Sequence, residues 1–378
     1  MNHMMKKLFH LTMTVCVVFY ANATVRTVSN TPSTLGQFSA IQSAIDASAS
    51  GDTVYVYGSP NTYSGFTIQD KVITVIGPGW APDKNLPLLA IVDGAAIRNS
   101  PAGGTPDGSE LHGLYFVNTV HVSRNAVSGD LPTSNIRLIR CHFNSSVQWD
   151  LGSSGFLVEG CIFINTLNFS GSATYTAFLF QNNMFFHQVC CIGNMISGIT
   201  NASNVRFDHN LFYSTNNAGG NTAAMFGNNC RFLSFTNNIF NQSNVGINVS
   251  FSTFNNNITN NITLNSTNAV SNATPWAVNS NVDGGGNVSN QSPQMAAQTS
   301  VNGGSLDGLL DFTIATGPAN NSGADGKDMG LLYDATGSLN WAASRNGRVP
   351  RIFSMNITTP SVAPGGTLSV TVDARKSN

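Results

Sequence analysis

The chain has 378 residues, with 18 Asp plus Glu against 17 Lys plus Arg, a net charge of −1 and only 9% charged residues. So sparse and balanced a charge lacks the basic stripe that nucleic-acid binding requires. The 23 Phe residues supply enough apolar area for a packed core, which excludes a disordered polar tract.

The chain opens on a processing signal. The stretch MNHMMKKLFHLTMTVCVVFYANA joins Lys6-Lys7 to an apolar run and ends in the small-x-small triplet Ala21-Asn22-Ala23. That run is too short to cross a bilayer, and no second long apolar run follows. Val15 stands before Cys16, where a lipoprotein signal wants Gly or Ala. Residues 1–23 are therefore expected to be a signal peptide, leaving an exported chain that is not integral to the membrane. Five cysteines follow: Cys141, Cys161, Cys190, Cys191 and Cys230. Their odd number and spacing match neither a full disulfide framework nor a zinc site, so buried free thiols are expected, with one bridge at Cys190 or Cys191 left open.

A repeat governs the middle of the chain. IRLIRCHFN at Ile136, FLVEGCIFIN at Phe156, FLFQNNMFFH at Phe178, VRFDHNLFY at Val205 and LSFTNNIFNQ at Leu233 share one pattern. Each reads apolar, x, apolar, x, x, then Cys or Asn, then x, then Phe. The sixth position is Cys141, Cys161, Asn183, Asn210 and Asn238, and the eighth is Phe143, Phe163, Phe185, Phe212 and Phe240. ELHGLYF puts Leu114 and Phe116 in register upstream, and STFNNNIT is expected to put Asn257 in the sixth position. Unequal steps between copies suit a solenoid whose coils carry insertions. Asn tolerates the left-handed backbone of a corner, and amides stacked about 4.8 Å apart can bond one another as a ladder.

The pattern resembles right-handed parallel β-helix proteins of the pectate-lyase-like superfamily, in their secreted bacterial form. The resemblance implies an all-β chain: a single-stranded right-handed parallel β-helix (solenoid) over residues 24–345, with an N-terminal capping helix. FSAIQSAIDASASGDTVYVYGSPNTYSGFTI (38–68) is similar to the family's entry, a short helix, then Gly51-Asp52 and the first strand. KVITVIGPG (71–79) and LLAIVDG (88–94) look like the next strands. DFTIATGPANNSGADGKDMGLL (311–332) resembles a closing segment that makes the last coil. Residues 346–378 read as a short appended β-hairpin or tail, an anchoring or secretion segment being one use for it.

Family lyases need an Asp cluster holding calcium with an Arg or Lys base, and family hydrolases need carboxylates facing each other across the sugar bond. This chain has two Glu, Glu110 and Glu159, and scattered Asp. It shows neither paired Asp with Gly-His-Gly nor Asp at coil spacing, so no cofactor is evident, and calcium, which the family admits, has no Asp cluster to support it. If the first and third positions of each copy face the core, the second and fourth face out. Glu159 and Asp208 then share a face two coils apart, roughly 10 Å by strand spacing, flanked by Arg137 and Arg206. Glu159, Asp208 and Arg206 are the candidate catalytic residues, against a competing reading as a solvated face with scattered ion pairs. His209, in the variable fifth position, is expected to be a corner facing solvent. The seventh position (His142, Ile162, Met184, Leu211, Ile239) and the Phe column cannot both point inward, so one apolar stripe must be covered by the chain's own insertions or by a partner. The Asn-x-Ser/Thr triplets read as by-products of Asn-rich turns. The expected function is a secreted or cell-surface protein that binds a polysaccharide or cell-surface glycan, adhesive or structural, without clear catalytic motifs. The alternative is a polysaccharide lyase or glycoside hydrolase.

Overall fold

Triplets in which apolar residues flank one polar residue recur along the chain, and each becomes a short strand with one face inward. A computed structural model describes residues 23–32, 36–80, 88–188, 195–215, 230–242, 257–259, 262–264, 276–277, 280–333, 339–344, 351–357, 362 and 365–375. One circuit passes through Glu110–His112, Tyr115–Phe116, Val120–Val122 and Thr133–Ser134. The next strand, Arg137–Ile139, pairs in register on Glu110–His112. Repetition of this circuit builds four all-parallel sheets, a long one of 11 strands and others of 8, 6 and 4, called here the second, third and short sheets. The architecture is all-β and compatible with a parallel β-solenoid. The expected signal peptide, Cys190 and Cys191 lie outside the described residues.

The eighth-position residues face inward and form one column. Phe116, Phe143, Phe163, Phe185, Phe212 and Phe240 stack at centroid spacings of 5.4, 4.9, 4.9, 4.6 and 4.8 Å. A second stack, Phe180, Phe207 and Phe235, lines the long sheet at 4.5 and 5.2 Å. In-register parallel pairing forces like residues onto like, and offset near-parallel rings add to the area they bury.

One expectation about the corner is corrected. The left-handed residue is the fifth, not the sixth: Arg140, Asn182, His209 and Asn237 have φ of 54°, 54°, 52° and 60°, and Gly160 has 65°. The sixth side chains form the expected ladder inside the core: Asn183, Asn210 and Asn238 are fully buried, Asn183 Nδ2 donates to Asn210 Oδ1 at 3.0 Å, and Asn210 Nδ2 donates to Asn238 Oδ1 at 2.9 Å. Each amide does two jobs. Asn210 Oδ1 accepts the Asn183 backbone N–H at 3.0 Å, and Asn210 Nδ2 donates to Phe180 O at 2.9 Å. Cysteine fills the same role with sulfur, since Cys161 Sγ accepts from Cys141 N at 3.4 Å and donates to Leu138 O at 3.3 Å. Cys141, Cys161 and Cys230 are buried free thiols. Asn257 does not join the ladder, because it pairs with Ser234, a second-position residue.

The N-terminal edge is closed by the helix Ile41–Ala47, whose Ile41, Ala44 and Ile45 recur at helical spacing and are buried. Lys71 Nζ donates to Ile45 O and Ser48 O at 2.7 and 3.0 Å, placing a cation at the helix C-terminus. Gln42 lies against the edge strand Phe66–Gln69, with Oε1 accepting Thr67 N–H at 2.7 Å and Nε2 donating to Thr67 O at 3.3 Å. One side-chain amide thus stands in for the missing neighbouring strand.

The segment expected to close the last coil does something else. Phe312, Ile314, Ala319, Met329 and Leu331, with Trp341, pack on Ile162, Met184, Leu211 and Ile239, and on Trp80 near the N-terminal end. Residues 295–333 and Trp341 therefore form a strap across the outer face of the second sheet, covering the seventh-position stripe with the chain's own residues. Farther on, Arg351–Ile357 pairs antiparallel with Val370–Arg375 as a hairpin.

Candidate functional site

The structure places the three sequence-derived candidates on the outer face of the long sheet but does not assemble them. Glu159, Gln181 and Asp208 occupy successive coils in register. Gln181 stands between the carboxylates and donates to Glu159 Oε2 at 2.7 Å. Glu159 is only 4% exposed, so the fourth position does not face solvent freely as expected. Arg206, its side chain 48% exposed, pairs with Asp208 at 3.5 Å in its own strand. Asp208 Oδ1 also receives Asn237 Nδ2 at 3.0 Å. Residues 216–229 lie outside the described residues.

His209 is corrected from a solvent-facing corner to a buried one, 4% exposed. The strap covers it: His209 Nδ1 lies 3.0 Å from Asp208 Oδ1, and Nε2 lies 3.5 Å from Asp325 on the strap. Its fifth-position neighbours anchor the same segment. Asn237 Oδ1 accepts Ala324 N–H, and Asn182 Oδ1 accepts Leu332 N–H, both at 2.7 Å. The polar corner column is thus a fastening for the strap.

A different cluster, which the first repeat did not reveal, sits on the third sheet. Strands Val120–Val122 and Val147–Trp149 pair in register, turning Val120, Val122, Val147 and Trp149 inward and His121 and Gln148 outward. Asp150 Oδ2 lies 3.2 Å from His121 Nδ1 and 3.2 Å from Arg124 Nη1, and accepts Asn125 N–H at 3.2 Å. Burial holds the His121 imidazole below its ordinary pKa, with Arg124 adding to the shift and Asp150 opposing it. The ring is therefore neutral at pH 7. One coil back, Arg98 forks onto Asp130 through Nε and Nη2 at 2.8 Å each, and this pairing holds Asp130 well below the usual carboxylate range. The signal for this cluster was present in the triplets VHV, VQW and LNF, whose central residues form one outward column.

That column runs Thr67, Ala96, His121, Gln148, Asn168, Ser197, in register from coil to coil. At its N-terminal end lies a cavity of about 480 Å³, floored by Gly65, Gly94 and Ala96 and walled by Gln42, Asp93 and Asn118. Asn118 Nδ2 donates to Asp93 Oδ1 at 2.5 Å. A second cavity of about 430 Å³ shares Gln42 and Thr67 and reaches Lys71. Neither cavity is lined by Glu159, Arg206 or Asp208. Among the described residues, no three His, Cys, Asp or Glu converge as a metal site. No protein-family model matches the chain, and no curated protein matches it significantly.

Proposed function

We propose that the chain is an exported, single-stranded right-handed parallel β-helix of the pectate-lyase-like kind that binds a polysaccharide or cell-surface glycan without catalysing its cleavage. The fold part of this reading is supported by the parallel in-register sheets, the Asn/Cys ladder and the helix-capped first coil. One observation carries the binding part: a register-locked outer column of neutral polar side chains, His121, Gln148, Asn168 and Ser197, which continues through Ala96 to an open cleft edged by Thr67, Gln42 and Asn118. Hydroxyl-rich ligands are recognised by such amides and hydroxyls, which both donate and accept. The carboxylates of the long sheet are spent on structural bonds. The alternative, a lyase or hydrolase, draws on the neutral His121 beside Asp150, a base-and-orienter pair whose ring Nε2 is faced by Arg124 Nη1 at 2.9 Å.

A glycan array probed with the whole chain tests the proposal. We expect binding to at least one polysaccharide, weakened about tenfold or roughly 1.4 kcal/mol by Gln148→Ala, with no release of reducing ends or unsaturated uronates on long incubation. An array without a single binder sinks the reading. Product release that His121→Ala abolishes hands the case to the enzyme alternative.

A further inference from the structure

We infer that the third-sheet face selects a neutral glycan, lying along the stack axis, and turns polyuronates away; this rests on the glycan-binding reading. The argument is one of charge. Recognition of a uronate carboxylate calls for a free Arg fork or Lys head. Among the described residues, the cations of this face named here are already committed. Arg98 is held by Asp130 and by Gln69 Oε1 at 2.9 Å, and Arg124 by Asp150. Lys71 spends its protons on helix carbonyls. His121 is neutral at pH 7. Meanwhile Asp93, exposed at the cavity wall, keeps a carboxylate that repels an anionic chain.

Geometry sets the direction of the ligand. The outer column repeats once per coil, about 4.8 Å by strand spacing, so a linear polymer running along the axis meets a polar group on each of the four successive coils from His121 to Ser197. The floor of Gly65, Gly94 and Ala96 leaves room at its end. A side chain is forced out at Gly94, where a Cβ would stand 2.8 Å from Thr119 O, and crowded at Gly65, where it would stand 3.0 Å from Gly94 O. The described aromatic residues of this sheet, Phe66, Trp149 and Phe169, face inward and are buried. Contact is then made by amides and hydroxyls, each weak, and retention grows with the number of coils engaged.

Affinity gel electrophoresis of the full chain separates the outcomes. Gels carry a soluble neutral β-glucan, a xylan or polygalacturonate, at low and at 0.5 M salt. Wild type is expected to be retarded at least threefold by a neutral polymer, independently of salt, and to run freely in polygalacturonate. Asp150→Asn, which removes the carboxylate that neutralises Arg124 and leaves that guanidinium only its contacts with the neutral His121 ring, and Asp93→Asn, an exposed change that leaves folding intact, are expected to introduce salt-sensitive retardation by polygalacturonate. Retardation of wild type by polygalacturonate alone would overturn the neutral-glycan inference while the glycan-binding reading stands. Free migration in all three polymers, matched by an empty array, would overturn both.

Discussion

At the scale of single residues, the sixth-position ladder shows why Asn and Cys interchange. The site needs a small side chain that accepts one N–H from the preceding coil and donates to a carbonyl, and both residues do so. Asn210→Ala removes from the core the Oδ1 that accepts both the Asn183 backbone N–H and its side-chain amide, a loss expected to cost about 1–3 kcal/mol. Cys161→Ala, which removes only weak sulfur bonds, should cost less, and urea midpoints of the two variants check the order. His142 presents a second residue-scale effect. Its ring stacks on Tyr115 at 4.2 Å, and burial lowers its pKa from 6.5 to about 4. The unfolded chain takes up a proton near pH 6.5 while the folded chain resists until about 4. Stability is therefore complete above that window and falls as pH drops through it. His142→Phe keeps the stack and should flatten the slope of the urea midpoint between pH 6.5 and 4.

At the scale of elements, the strap explains residues that no single coil accounts for. The apolar seventh position is not an oily outer surface, because Phe312, Met329, Leu331 and Trp341 seal it. Trp341 is fully buried, packs on Trp80 at 5.7 Å and donates from Nε1 to Gly308 O at 3.1 Å. Gly330 has φ of 83°, and a Cβ there would run into Ile239, so the strap crosses at van der Waals contact. Trp341→Ala should remove about 3–5 kcal/mol of local stability. Hydrogen exchange should then rise across residues 308–333 while strands of the third sheet keep their protection, since among the described residues the strap packs on the second sheet's outer face, its corner and Trp80. A uniform rise over all sheets would show instead that strap and stack unfold as one unit.

At the scale of the whole molecule, the architecture is a sum of near-identical neighbours, and that is why so much of it was legible. Phe116 through Phe240 could be aligned by eye because alternation within a strand is local, and stacking copies that alignment from coil to coil. The capping helix likewise shows its three inward residues at helical spacing. Less could be read from the outer face. Glu159 looked exposed beside Asp208, yet Gln181 and the surrounding packing bury it. His209 looked like a solvated corner, yet a segment more than a hundred residues later lies over it. The left-handed corner fell one residue before the ladder asparagines Asn183, Asn210 and Asn238, whose amides are needed inside the core, while Asn182 and Asn237 take the bend itself. His121 and Asp150 meet across 29 positions, through the register of the third sheet. The amino-acid sequence by itself determined the repeat, its strand phase and the inward aromatic column, all of which follow from short-range alternation. Only the tertiary structure decided which outward side chains stay outward, because that depends on what a distant stretch of chain, bound by Asn182 and Asn237, chooses to cover.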